Sequence, residues 1–309
     1  MSVTFSDGGV TISGGGWTLT AAPPAGNKAI FGYGNNGGAT AYSITNLVSN
    51  TGVVATDTAG VGTARYGLAA AGYGTDKAIF GYGQNSSSVN VSLTNLVSNT
   101  GVVANDTAGV GTARSDLAAA SYGTDKAIFG YGYTTTRVSM TNLVSNTGVV
   151  ATDTTGVGSA RSNIAAAGYG TDKAIFGYGN DSVNTAITNL VSNTGVVGNN
   201  VTGVGTAREA LAAAGYGTDK AIFGYGVGGG NQSMTNLVSN TGVVATDTTG
   251  VGTARYNLAA VVYGTDKAIF GYGNGPVSMT NLVSNTGVVS TDTAGVGTAR
   301  QRIAAAAYS

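Results

Sequence analysis

The heptad Lys-Ala-Ile-Phe-Gly-Tyr-Gly occurs six times in this chain, beginning at Lys28, Lys77, Lys126, Lys173, Lys220 and Lys267. Each copy is followed by Thr-Asn-Leu-Val-Ser-Asn-Thr-Gly-Val-Val, which starts at Thr45, Thr94, Thr141, Thr188, Thr235 and Thr280. A third marker, Gly-Val-Gly-(Thr/Ser)-Ala-Arg, ends at Arg65, Arg114, Arg161, Arg208, Arg255 and Arg300. The markers recur every 45 to 49 residues, so 309 residues are expected to form one repeat architecture rather than two ordinary domains.

Each unit reads as four short strands. Between Arg65 and Arg114 these are the small-residue run Leu68–Tyr73, the alternating aromatic and β-branched run Lys77–Tyr82, the run Val91–Val97, and Val102–Thr107. Gly74-Thr75-Asp76 and Ser98-Asn99-Thr100-Gly101 supply turn chemistry between them. No segment has a capped 3.6-residue apolar period, so no helix is expected. A four-stranded unit repeated six times predicts an all-β, six-bladed β-propeller, because blades packed in a ring bury both sheet faces and leave little free edge. Alanine-rich first strands suit the crowded axis of such a ring. An open β-solenoid is the other architecture that would fit, but it would want capping ends.

The ends favour closure. The chain stops after Ile303-Ala-Ala-Ala-Ala-Tyr308, a further copy of the first strand, whereas Gly16–Pro24 before the first heptad matches that strand poorly. Residues 302–308 are therefore expected to supply the first strand of the blade at Lys28, closing a single propeller over residues 27–309. Residues 1–26 become a surplus arm or extra strand, with Trp17, the only tryptophan, as its candidate anchor.

Composition excludes several functions. Fourteen basic and 14 acidic residues cancel, which offers no footprint for nucleic acid or an anionic membrane. Only 9% of residues are charged, so the surface must be built from Ser, Thr, Asn, Gly and Tyr. With no cysteine and no histidine, disulfides, thiolate sites, imidazole ligands and Ser/His/Asp catalysis are all closed off. No cofactor is expected. Neither an export signal nor a run of about 18 apolar residues is present, so membrane insertion is not expected. The chain is expected to be cytoplasmic or, released by lysis, in a virus particle.

The order of features resembles the kelch family. Arg and two variable residues precede a small apolar strand, a Gly-Tyr-Gly turn, and then an apolar strand ending in glycines, over residues 28–309. Two departures stand out. The family's double glycine is here Gly81-Tyr82-Gly83 and its equivalents, and the tryptophan of the last strand is missing from every copy. The resemblance implies a propeller that serves as a binding scaffold and carries out no reaction. Near-identical, small-residue repeats are also similar in style to those of phage virion proteins.

The copies diverge most in two places. After Gly-Tyr-Gly the loops diverge, with Asn35, Asn36, Gln84, Asn85, Tyr133, Arg137, Asn180, Asp181, Asn231, Gln232 and Asn274 among their residues. The pair after each Arg also diverges, and contributes Tyr66, Asp116, Glu209, Tyr256 and Arg302. Up-and-down strand geometry puts both sites on one rim and both constant turns on the other. These residues form the candidate interaction rim, since loops on a rigid scaffold are where recognition sits. Their composition suits a polar partner such as glycan. It is equally ordinary for exposed loops, which drift where nothing constrains them.

Other motifs are discounted. The glycine turns lack Walker spacing and a following helix. One carboxylate per unit beside a lysine (Asp76, Asp125, Asp172, Asp219, Asp266) is poor provision for calcium, and an ion pair or turn is the better reading. The recurring Asp57, Asp106, Asp153, Asp247 and Asp292 become Asn200 in the fourth copy, which favours turn chemistry. The six arginines are expected to bind carbonyls or an aspartate between blades, with an axial anion site as the lesser reading. The expectation is a non-enzymatic structural or adhesive propeller of a phage particle, whose partners are other virion proteins or a cell-surface glycan or protein receptor. An intracellular kelch-type protein-interaction module is the alternative, and a glycan-processing enzyme ranks below both.

Overall fold

The computed structural model describes residues 27–309 throughout and, before them, the backbone of residues 2–6 and 9–13 only. That backbone forms a two-stranded hairpin, Ser2–Ser6 paired with Gly9–Ser13. Trp17 and its expected anchoring lie outside the described residues. The described chain is all-β without a helix, and it contains six three-stranded antiparallel sheets. Among the described residues no helix is long and apolar enough to cross a membrane.

Five of the sheets take their strands from one stretch of chain in sequence order. The second, for example, is Ala69–Tyr73, Lys77–Gly81 and Thr94–Val97. The first sheet takes its strands from both ends of the chain: Ala304–Tyr308 pairs with Lys28–Gly32, which pairs with Thr45–Val48. The expected latch is thus formed, in register from Ala304↔Gly32 to Tyr308↔Lys28. First strands neighbour one another in sequence order, and Ala304–Tyr308 also contacts Ala69–Tyr73. Six apolar cores lie between neighbouring sheets, the last of them between the sixth sheet and the first.

The expected fourth strand is a correction. Val102–Thr107 and its equivalents form no ladder; two isolated bridges, Val97↔Val103 and Thr94↔Thr107, tie each copy to the third strand. Between the bridges the buried side chain of Asn95 intervenes. Its amide donates to the Ala104 carbonyl at 3.0 Å and to Asp106 at 2.9 Å, so a side chain fills the place of a ladder bond.

Burial follows the layering. In Lys77–Gly81 everything beyond the lysine is buried, because this middle strand has a neighbouring sheet on each face. The first strand alternates instead: Ala69, Ala71 and Tyr73 are buried, while Ala70 and Gly72 are half-buried. Sheet-to-sheet contact explains Phe-Gly-Tyr-Gly. A Cβ on Gly32 would lie 2.7 Å from the ring of Phe80 in the next unit, so only glycine admits that phenylalanine. Phe80 then lies 5.1 Å from the Tyr33 ring, and Arg65 stacks on Tyr33 at 5.0 Å. All six tyrosines of this motif adopt φ of 63 to 65°, a region costly for a bulky residue. Packing against Phe and Arg offsets that cost.

These tyrosines make the fold alkali-sensitive. The phenols of Tyr33, Tyr178, Tyr225 and Tyr272 are pushed up to about 12, chiefly by burial, with the adjacent arginine acting the other way. The folded state therefore favours the neutral phenol. Its contribution is complete below pH 10 and is lost as pH rises from about 10 to 12. At about 1.4 kcal/mol per pKa unit, each such phenol contributes on the order of 2–3 kcal/mol, a large share of a domain's 5–15 kcal/mol. Denaturant midpoints should fall steeply over this range, with tyrosinate absorbance appearing in step with unfolding. Free titration of all the tyrosines near pH 10 in an intact fold would contradict this.

Candidate functional site

The two variable segments of each unit are joined. Tyr66↔Gln84, Ser115↔Tyr133, Ser162↔Asn180, Glu209↔Val227 and Asn35↔Gln301 are bridged pairs, and the Asn274 N–H donates to the Tyr256 carbonyl. Both segments therefore sit at one end of the sheets. The constant turns meet at the other end, where Asn146 of one unit's Ser-Asn-Thr-Gly turn packs its carbonyl against Gly74 of the neighbouring unit's Tyr-Gly-Thr-Asp turn.

At the variable end, the second residue after each arginine carries a feature that its variability concealed. Gly67, Asp116, Asn163, Ala210, Asn257 and Arg302 all have left-handed backbone, with φ of 59, 54, 51, 52, 56 and 53°. Each N–H donates to the carbonyl of its counterpart in the adjacent unit: Asp116 to Gly67, Asn163 to Asp116, Ala210 to Asn163, Asn257 to Ala210, Arg302 to Asn257, and Gly67 to Arg302. This cycle of six bonds of 2.8 to 2.9 Å closes around the axis. The signal available in the sequence was Gly, Asp or Asn at four of the six positions, the residues most tolerant of this conformation.

Beneath the cycle, Leu68, Leu117, Ile164, Leu211, Leu258 and Ile303 line a small cavity of about 70 Å³. Above it opens a cup of about 460 Å³. Of the candidate residues, Asn35, Tyr66, Asp116, Glu209, Tyr256 and Arg302 line this cup. Arg302 reaches over Gly67 to an ion pair with Asp116 and stacks on Tyr66 at 4.7 Å. A Cβ on Gly67 would lie 2.7 Å from the Asp116 carboxylate and 3.2 Å from the Arg302 guanidinium, so a side chain there would push the bridge aside. Glu209 accepts a hydrogen bond from Asn163 at 2.8 Å.

The remaining candidates lie outside the cup. Asn36, Tyr133 and Asn231 are exposed, and Gln84, Asn85, Arg137, Asn180, Asp181, Gln232 and Asn274 are half-buried. Several of their side chains are occupied within their own loops. Asn85 accepts from the N–H groups of Ser87 and Val89, Asn180 from Ser182, and Gln232 donates to the Gly228 and Gly230 carbonyls. Asn35 and Tyr66, expected on the binding surface, are only 4% and 6% exposed. Asn35 holds its loop by donating to the Gly38 carbonyl and accepting from the Gly37 N–H. The variable end is thus a set of self-braced loops around a polar cup.

At the constant end the repeated aspartates are ion-paired with the lysine that follows each, from Asp76–Lys77 at 2.6 Å to Asp266–Lys267 at 3.1 Å. The six arginines lie between sheets and are almost wholly buried, stacked on the tyrosine of the preceding unit. Among the described residues no group of three or more acidic side chains could hold a metal ion. No protein-family model matches the chain, and no curated protein sequence is similar to it.

Proposed function

We propose that the chain is a six-bladed β-propeller of kelch-like organisation, a non-enzymatic structural or adhesive component that takes a polar partner, a glycan above all, at its variable end. Support for the propeller comes from the circular order of the six sheets, the shared first sheet and the closed cycle of backbone bonds at the axis. The bridged fourth segments would be the outer edges of the blades.

The observation that carries the functional reading is the confinement of divergence to one end. Six copies keep the same middle and third strands and nearly the same constant-end turns, yet differ most at the cup and the loops around it. Tyr133 and Tyr256 offer rings for stacking against a sugar face, and Asp116, Glu209 and Arg302 offer charged hydrogen-bonding groups at the centre. Near-identical small-residue repeats suit a phage particle as the setting, with the variable end turned outward.

A glycan array with the full chain, run beside a hydrolysis assay on the glycans retained, tests this. Binding without turnover is expected, and Tyr133→Ala combined with Tyr256→Ala should weaken it about tenfold or more. Turnover would overturn the non-enzymatic reading. Silence on the array would overturn the glycan reading in favour of a kelch-type protein-docking role.

A further inference from the structure

The constant end carries surface that the fold does not explain. Val53, Val102, Val149, Val196, Val243 and Val288, one in each unit, are 65 to 66% exposed and lie just past the Ser-Asn-Thr-Gly turn. The Asn-Thr pair of that turn is also exposed in every unit. At the other end, exposed positions have diverged; apolar ones there, such as Val89 and Val183, occur in single units. Both ends belong to the same six copies. An exposed valine with no packing duty should have drifted as the loops did, and it has not.

The axial turn shows the same constancy against a local penalty. Thr75, Thr124, Thr171 and Thr218 are exposed and hold φ of 69, 70, 68 and 70°. Gly or Asn would enter that region more easily than a β-branched residue, yet the turn keeps threonine.

We propose that the constant end is an interface for a second copy of this chain, two rings meeting end to end with their variable ends facing away. The charge pattern is complementary to itself. Five units each place one Asp–Lys ion pair, its lysine 43 to 49% exposed, at this end, so a copy turned over can set lysine against aspartate. The valines form a ring that meets its own image six times in such a contact. A stable dimer buries about 800 Å² on each partner, and six valines with six Asn-Thr pairs spread over all six sheet ends offer surface of that order. The inference stands independently of what the variable end binds.

Sedimentation analysis of the full chain at high micromolar concentration tests it, alongside two variants. One carries Val→Lys at Val53, Val102, Val149, Val196, Val243 and Val288; the other carries Val→Thr at the same places. The native chain should sediment at twice the chain mass, the lysine variant at the chain mass with an unchanged circular dichroism spectrum. The threonine variant, nearly identical in shape, should weaken association at least tenfold and decides the matter if the lysine variant does not fold. A native chain that stays at the chain mass, or a threonine variant that associates as tightly as the native chain, overturns the proposal. Ligand binding at the variable end should survive in the threonine variant, which separates this outcome from a failure of the functional reading.

Discussion

A chain ending at Gln301 should fail to hold the native fold at room temperature. The eight residues removed, Arg302–Ser309, give the first sheet its axial strand and fill the seam between the first and last units. Ile303 is buried in that seam, and Ala304, Ala306 and Tyr308 are buried on the other face, in the core with Ile30 and Tyr33 between the first and second sheets. Burial of an Ile or Tyr side chain contributes about 1.5–3 kcal/mol. The five-residue ladder to Lys28–Gly32 is lost with them, and so are the Arg302 and Ser309 bonds that complete the circuit at each end of the axis. The total is on the order of 10 kcal/mol, within the 5–15 kcal/mol that domains possess. Urea titration followed by circular dichroism should show the truncated chain unfolded or melting far below the full chain. Adding a synthetic peptide of residues 302–309 at 100 times its dissociation constant should restore about 2.7 kcal/mol. A truncated chain melting within a few degrees of the full one would show that the seam carries little of the stability.

This closure was legible in the sequence because it is written in strand-length segments. The extra Ala-rich run at Ile303–Tyr308 and the poor match before Lys28 pointed to one shared sheet. The separation of constant and variable ends was legible for the same reason, since alternating strand direction fixes which turns share an end. What stayed hidden was side-chain intervention. Val102–Thr107 has strand composition, yet the Asn95 side chain takes the Ala104 carbonyl, while the Ala104 N–H alone keeps its backbone bond to Leu96. The residue after Tyr66, Ser115 and their equivalents looked like a free recognition position, whereas its backbone closes the axial cycle. Variation there is limited by a left-handed φ, met readily by Gly67 and Asn163 and at some cost by Ala210 and Arg302. Within the candidate rim, composition distinguished polar from apolar residues but not occupied from available ones. Asn35 is consumed by its own loop, whereas Tyr133 remains exposed.

Charge and shape can be separated at the inter-sheet arginines. Arg208 is fully buried; its Nε donates to the Tyr225 carbonyl at 2.8 Å, one terminal nitrogen to the Thr206 carbonyl at 3.0 Å and the other to Asn236 at 2.6 Å, over the Tyr178 ring at 4.4 Å. Asp247 is its ion-pair partner, but at 3.9 Å with a side chain 30% exposed. Burial acts to raise the Asp247 carboxyl, and hydrogen bonds from Thr206 and Asn236 outweigh it and hold the group below its ordinary value. The fourth unit shows which part is essential. Asn200 stands in the aspartate's place, accepts from the Ser159 N–H and from Asn189, and Arg161 still bonds to Asn189 and to the Tyr178 and Ile187 carbonyls. An acceptor is required there; a charge is not. Asp247→Asn should therefore cost under about 1 kcal/mol, in the range of exposed ion pairs. Arg208→Leu should cost about 3–5 kcal/mol, because the carbonyls and Asn236 are left buried without donors. Arg208→Lys should recover little of that loss, since an ammonium cannot reproduce the planar fork of bonds. Denaturant titration of the three variants reads the difference directly. Equal losses for Asp247→Asn and Arg208→Leu would mean that the ion pair, rather than the bonding and stacking of a buried guanidinium, joins neighbouring sheets.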